Sequence, residues 1–245
     1  MPDTRKHRGA GPRDHEWFGP EARPYLIAAT SDLSWLLTRG YAEPSSLKLV
    51  GDRYRLVERQ RVAVLRSACS DQSLARRHAN RIVAPRGPLR IDGFNLILTL
   101  ESALGGGIVL GGRDGCFRDL ASVHGTYRRV EETQAALDLA GRFLTEWGIG
   151  ACTWYLDAPV SNSGRLAAMI RAMGWEAAIV PDPDSILSQP GAPITTADSG
   201  ILDRCGPWLN LARLLVDQVP GAFVVDLGSL QPYHQGGPAP GGGEG

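Results

Sequence analysis

The apolar positions of this chain recur with two different rhythms. Between residues 24 and 70 they fall at helical spacing, in PYLIAATSDLSWLLTRGY and RLVERQRVAVLRSACS. In the first run Ser31 or Asp32 is placed to cap a helix carrying Leu33, Leu36 and Leu37, and Gly40 to end it. In the second, Val57, Val62 and Leu65 share one side, and Arg55, Arg59, Arg61 and Arg66 cover much of the rest. SSLKLVGDRYRL, between them, carries a Gly-Asp turn. Beyond a Pro/Gly break, APRGP at 84–88, short apolar runs alternate with amphipathic ones. LRIDGFNLIL predicts a buried strand running into a helix, and GGGIVLGGRDG a short strand and turn of hairpin form. YRRVEETQAALDLAGRFLTEWG predicts an amphipathic helix with Val130, Ala136, Leu137, Ala140 and Leu144 on its core stripe. CTWYLD, WEAAIV, APITTA and AFVVDL read as strands. SGRLAAMIRAMG reads as a helix ending at Gly174, and GPWLNLARLLVDQ as a helix with Pro207 near its first turn.

Strands alternating with helices predict an α/β fold, a parallel sheet covered by helices on both faces. The expected organisation is a disordered tail over 1–20, a basic and mainly helical region over 21–87, an α/β domain over 88–230 and a flexible tail over 231–245.

Charge sharpens this division. The formal net charge is zero, yet residues 1–90 hold 17 Lys/Arg against 9 Asp/Glu, and the remainder holds 9 against 17. A basic half beside an acidic half suits a polyanion-gripping surface next to a cation-binding one. A contact between the halves, within one chain or across a homodimer, is the plainer explanation. Apolar runs such as FNLILTL fall well short of the roughly 20 residues that cross a bilayer. The polar start MPDTRKHRGAGPRDHEWFG has no apolar stretch behind its basic residues, so a secretory signal is not expected. Cys69, Cys116, Cys152 and Cys205 show no CxxC spacing, which argues against a zinc ribbon and for reduced thiols in a cytoplasm.

The chemistry-bearing signal is a repeated ending. LRIDGFN, CTWYLDAP, EAAIVPDPDS and APITTADSG each run from apolar residues into aspartate, at Asp92, Asp157, Asp182 with Asp184, and Asp198. In an open parallel sheet the C-terminal strand ends share one edge, where ligands bind. Carboxylates gathered there repel one another, and such a set suits a hard divalent cation. Asp184 is preferred over Asp182 as the third ligand. Asn95 is placed to orient a carboxylate or a water, and Ser199 stands beside Asp198. Ser161, Asn162 and Ser163 precede a helix, where small polar residues either cap it or bind an anion. Ordinary turn and cap chemistry would equally place Asp92 before Gly93. Arg55, Arg59 and Arg66 are the candidate phosphate contacts of the basic half. RDGCFRDLASVHGTYRR, with Arg113, Asp114, Arg118, Asp119, His124, Tyr127, Arg128 and Arg129, is either a structural ion-pair cluster or a substrate-facing loop.

IDGFN, a strand ending in Asp157, DPDSI and TTADSGI occur in the order seen in PIN/NYN-like nucleases, which this part of the chain resembles over about residues 89–227. LSWLLTRGY, LKLVGDRYRL, IDGFNLILTLE, VHGTYR and DAPVSNSGRL together resemble a prokaryotic family catalogued as domain of unknown function 434, over most of residues 15–230. The second resemblance brings no established activity. The first implies a Rossmann-like parallel sheet in the order 3-2-1-4-5, with the IDGFN strand between the WYLD and ITTAD strands and Asp92, Asp157 and Asp198 as neighbours. It also implies a Mg²⁺- or Mn²⁺-dependent ribonuclease, with Asp92, Asp157, Asp184 and Asp198 as catalytic metal ligands and RNA as substrate. GGGIVLGGRDG and the basic N-terminal half have no counterpart in that pattern. Two other readings remain: a non-catalytic RNA-binding protein, and a phosphatase with Asp92 as nucleophile. The phosphatase expects a second aspartate two residues on, where Phe94 stands. No GxGxxG links a first strand to a helix, which leaves a dinucleotide enzyme unsupported.

Overall fold

A computed structural model describes residues 8–85, 87–120 and 130–229. The VHGTYR motif, with His124, Tyr127, Arg128 and Arg129, and the glycine-rich tail after residue 229 lie outside the described residues. The described chain opens with helices α1 (Asp14–Trp17), α2 (Arg23–Thr38), α3 (Glu43–Arg53), α4 (Glu58–Ser67) and α5 (Asp71–Asn80). It continues through β1 (Arg81–Ile82), β2 (Leu89–Asp92), α6 (Gly93–Leu104), β3 (Ile108–Gly111), β4 (Phe117–Asp119) and α7 (Glu132–Glu146). Then follow β5 (Cys152–Asp157), α8 (Ser163–Ala172), β6 (Glu176–Val180), α9 (Pro183–Leu187), β7 (Ile194–Thr195) and α10 (Ser199–Leu202). β8 (Trp208–Leu209), α11 (Leu211–Val216) and β9 (Phe223–Asp226) complete it.

Six strands form a parallel sheet in the order β1-β8-β7-β2-β5-β6. β2 is central: Ile91 pairs in register with Trp154 of β5 and Thr195 of β7. A second sheet has the order β4-β3-β9, with β3 antiparallel to β4 and parallel to β9. α6 touches strands of both sheets. It is apolar nearly all round, as a helix enclosed on every side must be, and all but Asn95 and Leu104 are buried. Gly93 opens it because a Cβ there would stand 2.5 Å from Leu156 Cδ2 and 2.9 Å from the Tyr155 carbonyl oxygen. The glycine permits close helix–strand approach rather than a tight turn.

Two cores result. One joins α6, α7, α8 and α11 to β2 and β5, around Leu89, Ile91, Leu144 and Trp154. The other joins α2, α3 and α4 to the small sheet, around Leu26, Leu33, Val64, Leu110 and Val225. The N-terminal helices thus complete a core with strands that lie far along the sequence.

Several elements differ from the sequence expectation. α2 starts at Arg23, with Pro24 in its first turn, so Ser31 and Asp32 sit mid-helix; Gly40, at φ 79°, ends it as expected. The Gly-Asp turn is absent: Gly51 and Asp52 lie inside α3, and the Arg61 guanidinium occupies the space beside Gly51. Residues 8–20 are ordered rather than a tail. Phe18 is fully buried, worth about 1.5–3 kcal/mol, and the buried Asp14 accepts two hydrogen bonds from Arg59 at 2.6 and 2.8 Å. Those anchors outweigh the local Gly/Pro preference for disorder. GPWLNLARLLVDQ divides into β8 and α11, because Trp208 pairs with Ile194 and its indole N–H donates to the Arg77 carbonyl at 2.8 Å. AFVVDL, as β9, joins β3 instead of the main sheet.

Candidate active site

The C-terminal edge of the main sheet opens into a cavity of about 610 Å³. Asp92, Asn95, Asp184, Asp198 and Ser199 line it from the α/β side, and Arg66, Ser70 and Ser73 line it from the helical side. Asp92 ends β2 and caps α6; its Oδ1 accepts from the Asn95 N–H at 3.4 Å and its Oδ2 from the Thr196 hydroxyl at 2.7 Å. The Ala197 N–H donates to Asn95 Oδ1 at 2.8 Å, and the Asp198 N–H to Thr196 Oγ1 at 3.0 Å. Two of these hydrogen bonds, from Thr196 to Asp92 and from Ala197 to Asn95, therefore tie the α6 N-terminus to the turn after β7. Asp198 caps α10 through the Ile201 N–H at 2.9 Å.

Burial pushes the Asp92 carboxyl up to about 7. The Thr196 hydrogen bond opposes this rise, and the charges of Asp198 and Asp184 add to it. Burial, then the charge of Asp198, also raises Asp184. Among the described residues no arginine or lysine forms an ion pair with Asp92, Asp184 or Asp198. Arg204 acts on Asp184 only at a distance, as a smaller effect that opposes its rise.

Asp184 and Asp182 separate clearly. Both are exposed, but Asp182 caps α9, and its hydrogen bonds from Ser185 lower its carboxyl. Asp184 faces the cavity. Asp157 ends β5 at the same edge, and burial raises it, with Asp182 adding a smaller effect. The described cavity lining includes the other three aspartates but not Asp157.

The SNS run does not reach the cavity lining. Ser161 and Asn162 are exposed, Asn162 at φ 71°. The Ser163 hydroxyl is buried and turned back on the Asp157 and Val160 carbonyls. Helix entry accounts for Ser163, while Asn162 stands at the N-cap of α8 without a side-chain capping bond. The arginines of α4 also diverge. Arg59 holds Asp14. Arg66 lines the cavity but donates to the Asp119 carbonyl at 2.8 Å and faces the Asp119 carboxylate at 3.6 Å. Arg55 is exposed in the turn after α3, at φ 50°.

Beside the aspartates lies an ion cluster built on Asp114 and Arg118 of the segment that was open between structural and substrate-facing roles, and its Arg77, Arg118 and Asp203 also line the cavity. Arg118 donates to both Asp114 oxygens at 2.9 and 2.6 Å and to the Ala197 carbonyl at 2.7 Å. Arg77 donates to Asp114 at 2.6 Å and to both Asp203 oxygens at 2.7 and 2.9 Å. Burial alone would raise Asp114, but Arg118 and Arg77 hold it below the usual carboxylate range. Arg118 thus braces the backbone beside Asp198. On the other flank Arg90 donates to the carbonyls of Ile186, Gln189 and Ala192, fixing the turn that follows Asp184. Cys69 lines the cavity, but burial pushes its thiol up to about 11, so it is no thiolate nucleophile.

Thr196 and Arg77 were not singled out by sequence as site residues, and Asp119 and Arg118 were named only within the segment left open between two roles. Asp119 ends β4, FRD, and lines the cavity. It carries the same strand-then-aspartate signal as the others, hidden because its strand is only three residues long. No group of three His, Cys, Asp or Glu side chains among the described residues forms a ready-made metal cage. The carboxylates at the cavity offer oxygen donors, the chemistry of a hard cation.

Comparison with known proteins agrees with the second resemblance. The chain belongs to the family described as Domain of unknown function (DUF5616), whose model matches residues 85–214. Residues 25–79 match the model described as Protein of unknown function (DUF434). The uncharacterized protein MJ0935 of Methanocaldococcus jannaschii is 34% identical over 146 residues, covering 58% of this chain and 70% of that protein. No solved structure matches the chain. No helix of the described residues is long and apolar enough to cross a membrane.

Proposed function

We propose that this protein is a divalent-metal-dependent phosphodiesterase acting on RNA, with a PIN/NYN-type α/β domain, working in the cytoplasm. The observation that carries the reading is one cavity lined by Asp92, Asp184 and Asp198, which end or follow three strands of the main sheet and form no ion pair with a basic side chain among the described residues. The strand order supports it: numbered from β2 as strand one, five strands of the main sheet read 3-2-1-4-5. The missing three-ligand cage is compatible with Mg²⁺, which keeps several waters and takes one or two carboxylates plus substrate phosphate. A bound Mg²⁺ or Mn²⁺ would supply Lewis acidity and an acidified water.

The chain's own residues do the rest. Asp92 and Asp198 hold their carboxylates in fixed directions through Thr196, Asn95 and Ile201. Asn95 has its oxygen committed to Ala197, which leaves its amide N–H groups to orient water or phosphate. Arg90 and Arg118 hold the two turns that present Asp184 and Asp198.

The test is cleavage of a single-stranded RNA oligonucleotide by the purified chain in Mg²⁺ or Mn²⁺. Cleavage that needs the ion and vanishes in Asp92→Asn and Asp198→Asn, with both variants folded, is the expected result. RNA retained on the protein without cleavage in either ion would instead establish the binding-only reading.

A further inference from the structure

We infer that the N-terminal helices form a seat for one nucleobase, so that the cavity takes a single unstacked nucleotide with its phosphate toward the aspartates. The cavity lining is mixed, with apolar side chains beside the polar Glu43, Arg66, Ser70 and Ser73 on the helical side. Asp92, Asn95 and Leu98 lie three residues apart on α6, and all three line it. Six residues of helix advance about 9 Å, comparable with the reach from a phosphate through a ribose to a base. Leu98 is joined in the lining by Leu37 of α2 and by Leu65 and Ala68 at the end of α4, which add an apolar wall.

The volume of about 610 Å³ suits a compact organic ligand of nucleotide size. The choice of a nucleotide over another organic phosphate rests on the phosphodiesterase reading. A base lodged against Leu65 has left its stack, so the substrate class is single-stranded RNA. The role of the helices in this arrangement is selection of the base, in place of a general grip on the backbone.

The experiment compares three probes on the full chain by calorimetry, with Ca²⁺ present: adenosine 5′-monophosphate, ribose 5-phosphate and inorganic phosphate. Burying a base on an apolar wall is expected to make the nucleotide bind at least about tenfold tighter than either other probe. Leu65→Asn should remove that preference and leave phosphate binding unchanged. If Leu65→Asn does not fold, Leu37→Asn tests the same wall, and the three-probe comparison on the unaltered chain stands alone. Equal affinity for adenosine 5′-monophosphate and ribose 5-phosphate overturns the seat. Nucleotide preference without hydrolysis of RNA removes the phosphodiesterase and leaves the seat, whereas hydrolysis without preference does the reverse.

Discussion

Asp92 and Asp114 are both buried aspartates at one end of the molecule, and their surroundings push them in opposite directions. Asp114 lies between two arginines and stays ionised. Asp92 has a hydroxyl and a backbone N–H, with two more carboxylates nearby. A buried charge with its counterions is architecture; a buried charge left without them is capacity for a ligand. The structure places the two arrangements side by side at one cavity, joined through Arg118 and the Ala197 carbonyl.

The comparison breaks most visibly at Arg118. Arg118→Met leaves Asp114 with one of its two cations and frees the Ala197 carbonyl. It should destabilise the chain by about 3–5 kcal/mol, read as a fall in the denaturation midpoint at pH 7. A loss under about 1 kcal/mol would show the cluster to be replaceable by packing. Arg59 and Arg55 make a smaller contrast within one charged region. Arg59→Ala strands the buried Asp14 and should cost roughly 2 kcal/mol, whereas Arg55→Ala, at an exposed site, should stay within about 0.5 kcal/mol. Equal losses would place both on the surface. RNA affinity measured on the same two variants separates structural arginines from phosphate contacts, since only the latter flatten its salt dependence.

Asp92→Asn gives a modest change, and the one whose sign matters most. The folded chain raises this carboxyl to about 7, so it binds a proton that the unfolded chain releases at the ordinary carboxylate value. The group's contribution therefore becomes less favourable as pH rises from about 4 to about 7, and the full penalty stands above that. Asp92→Asn removes it. In metal-free buffer the variant should gain roughly 1–2 kcal/mol at pH 8 and nothing near pH 4. A loss at pH 8 would mark Asp92 as a helix cap before anything else.

Much of the α/β half was legible because its signals are local. LRID, CTWYLD and WEAAIV are apolar runs with turn residues behind them, and all three are strands. The GGGIVLGGRDG hairpin and the helix before Trp147 were legible for the same reason. What escaped depends on partners far away in sequence. β8 exists because Trp208 finds Ile194, and Phe18 is ordered because it enters a core completed by Val225. The aspartate endings were legible, yet three of the five, Asp92, Asp182 and Asp198, also cap the helices that follow. Capping and ligand binding select the same residue at the same place, so only the cavity separates Asp184 from Asp182.

The small sheet carries a consequence for how the chain is made. Leu26, Leu33 and Val64 belong to helices that leave the ribosome early, and they share a core with Val225 and Leu227. Contacts that span most of the sequence form late and slowly. While the later strands are still being synthesised, α2, α3 and α4 expose their apolar faces, the condition under which nascent chains aggregate. The helical wall of the cavity is thus translated first and seated last, and no shortened chain that stops before β9 can hold it in place.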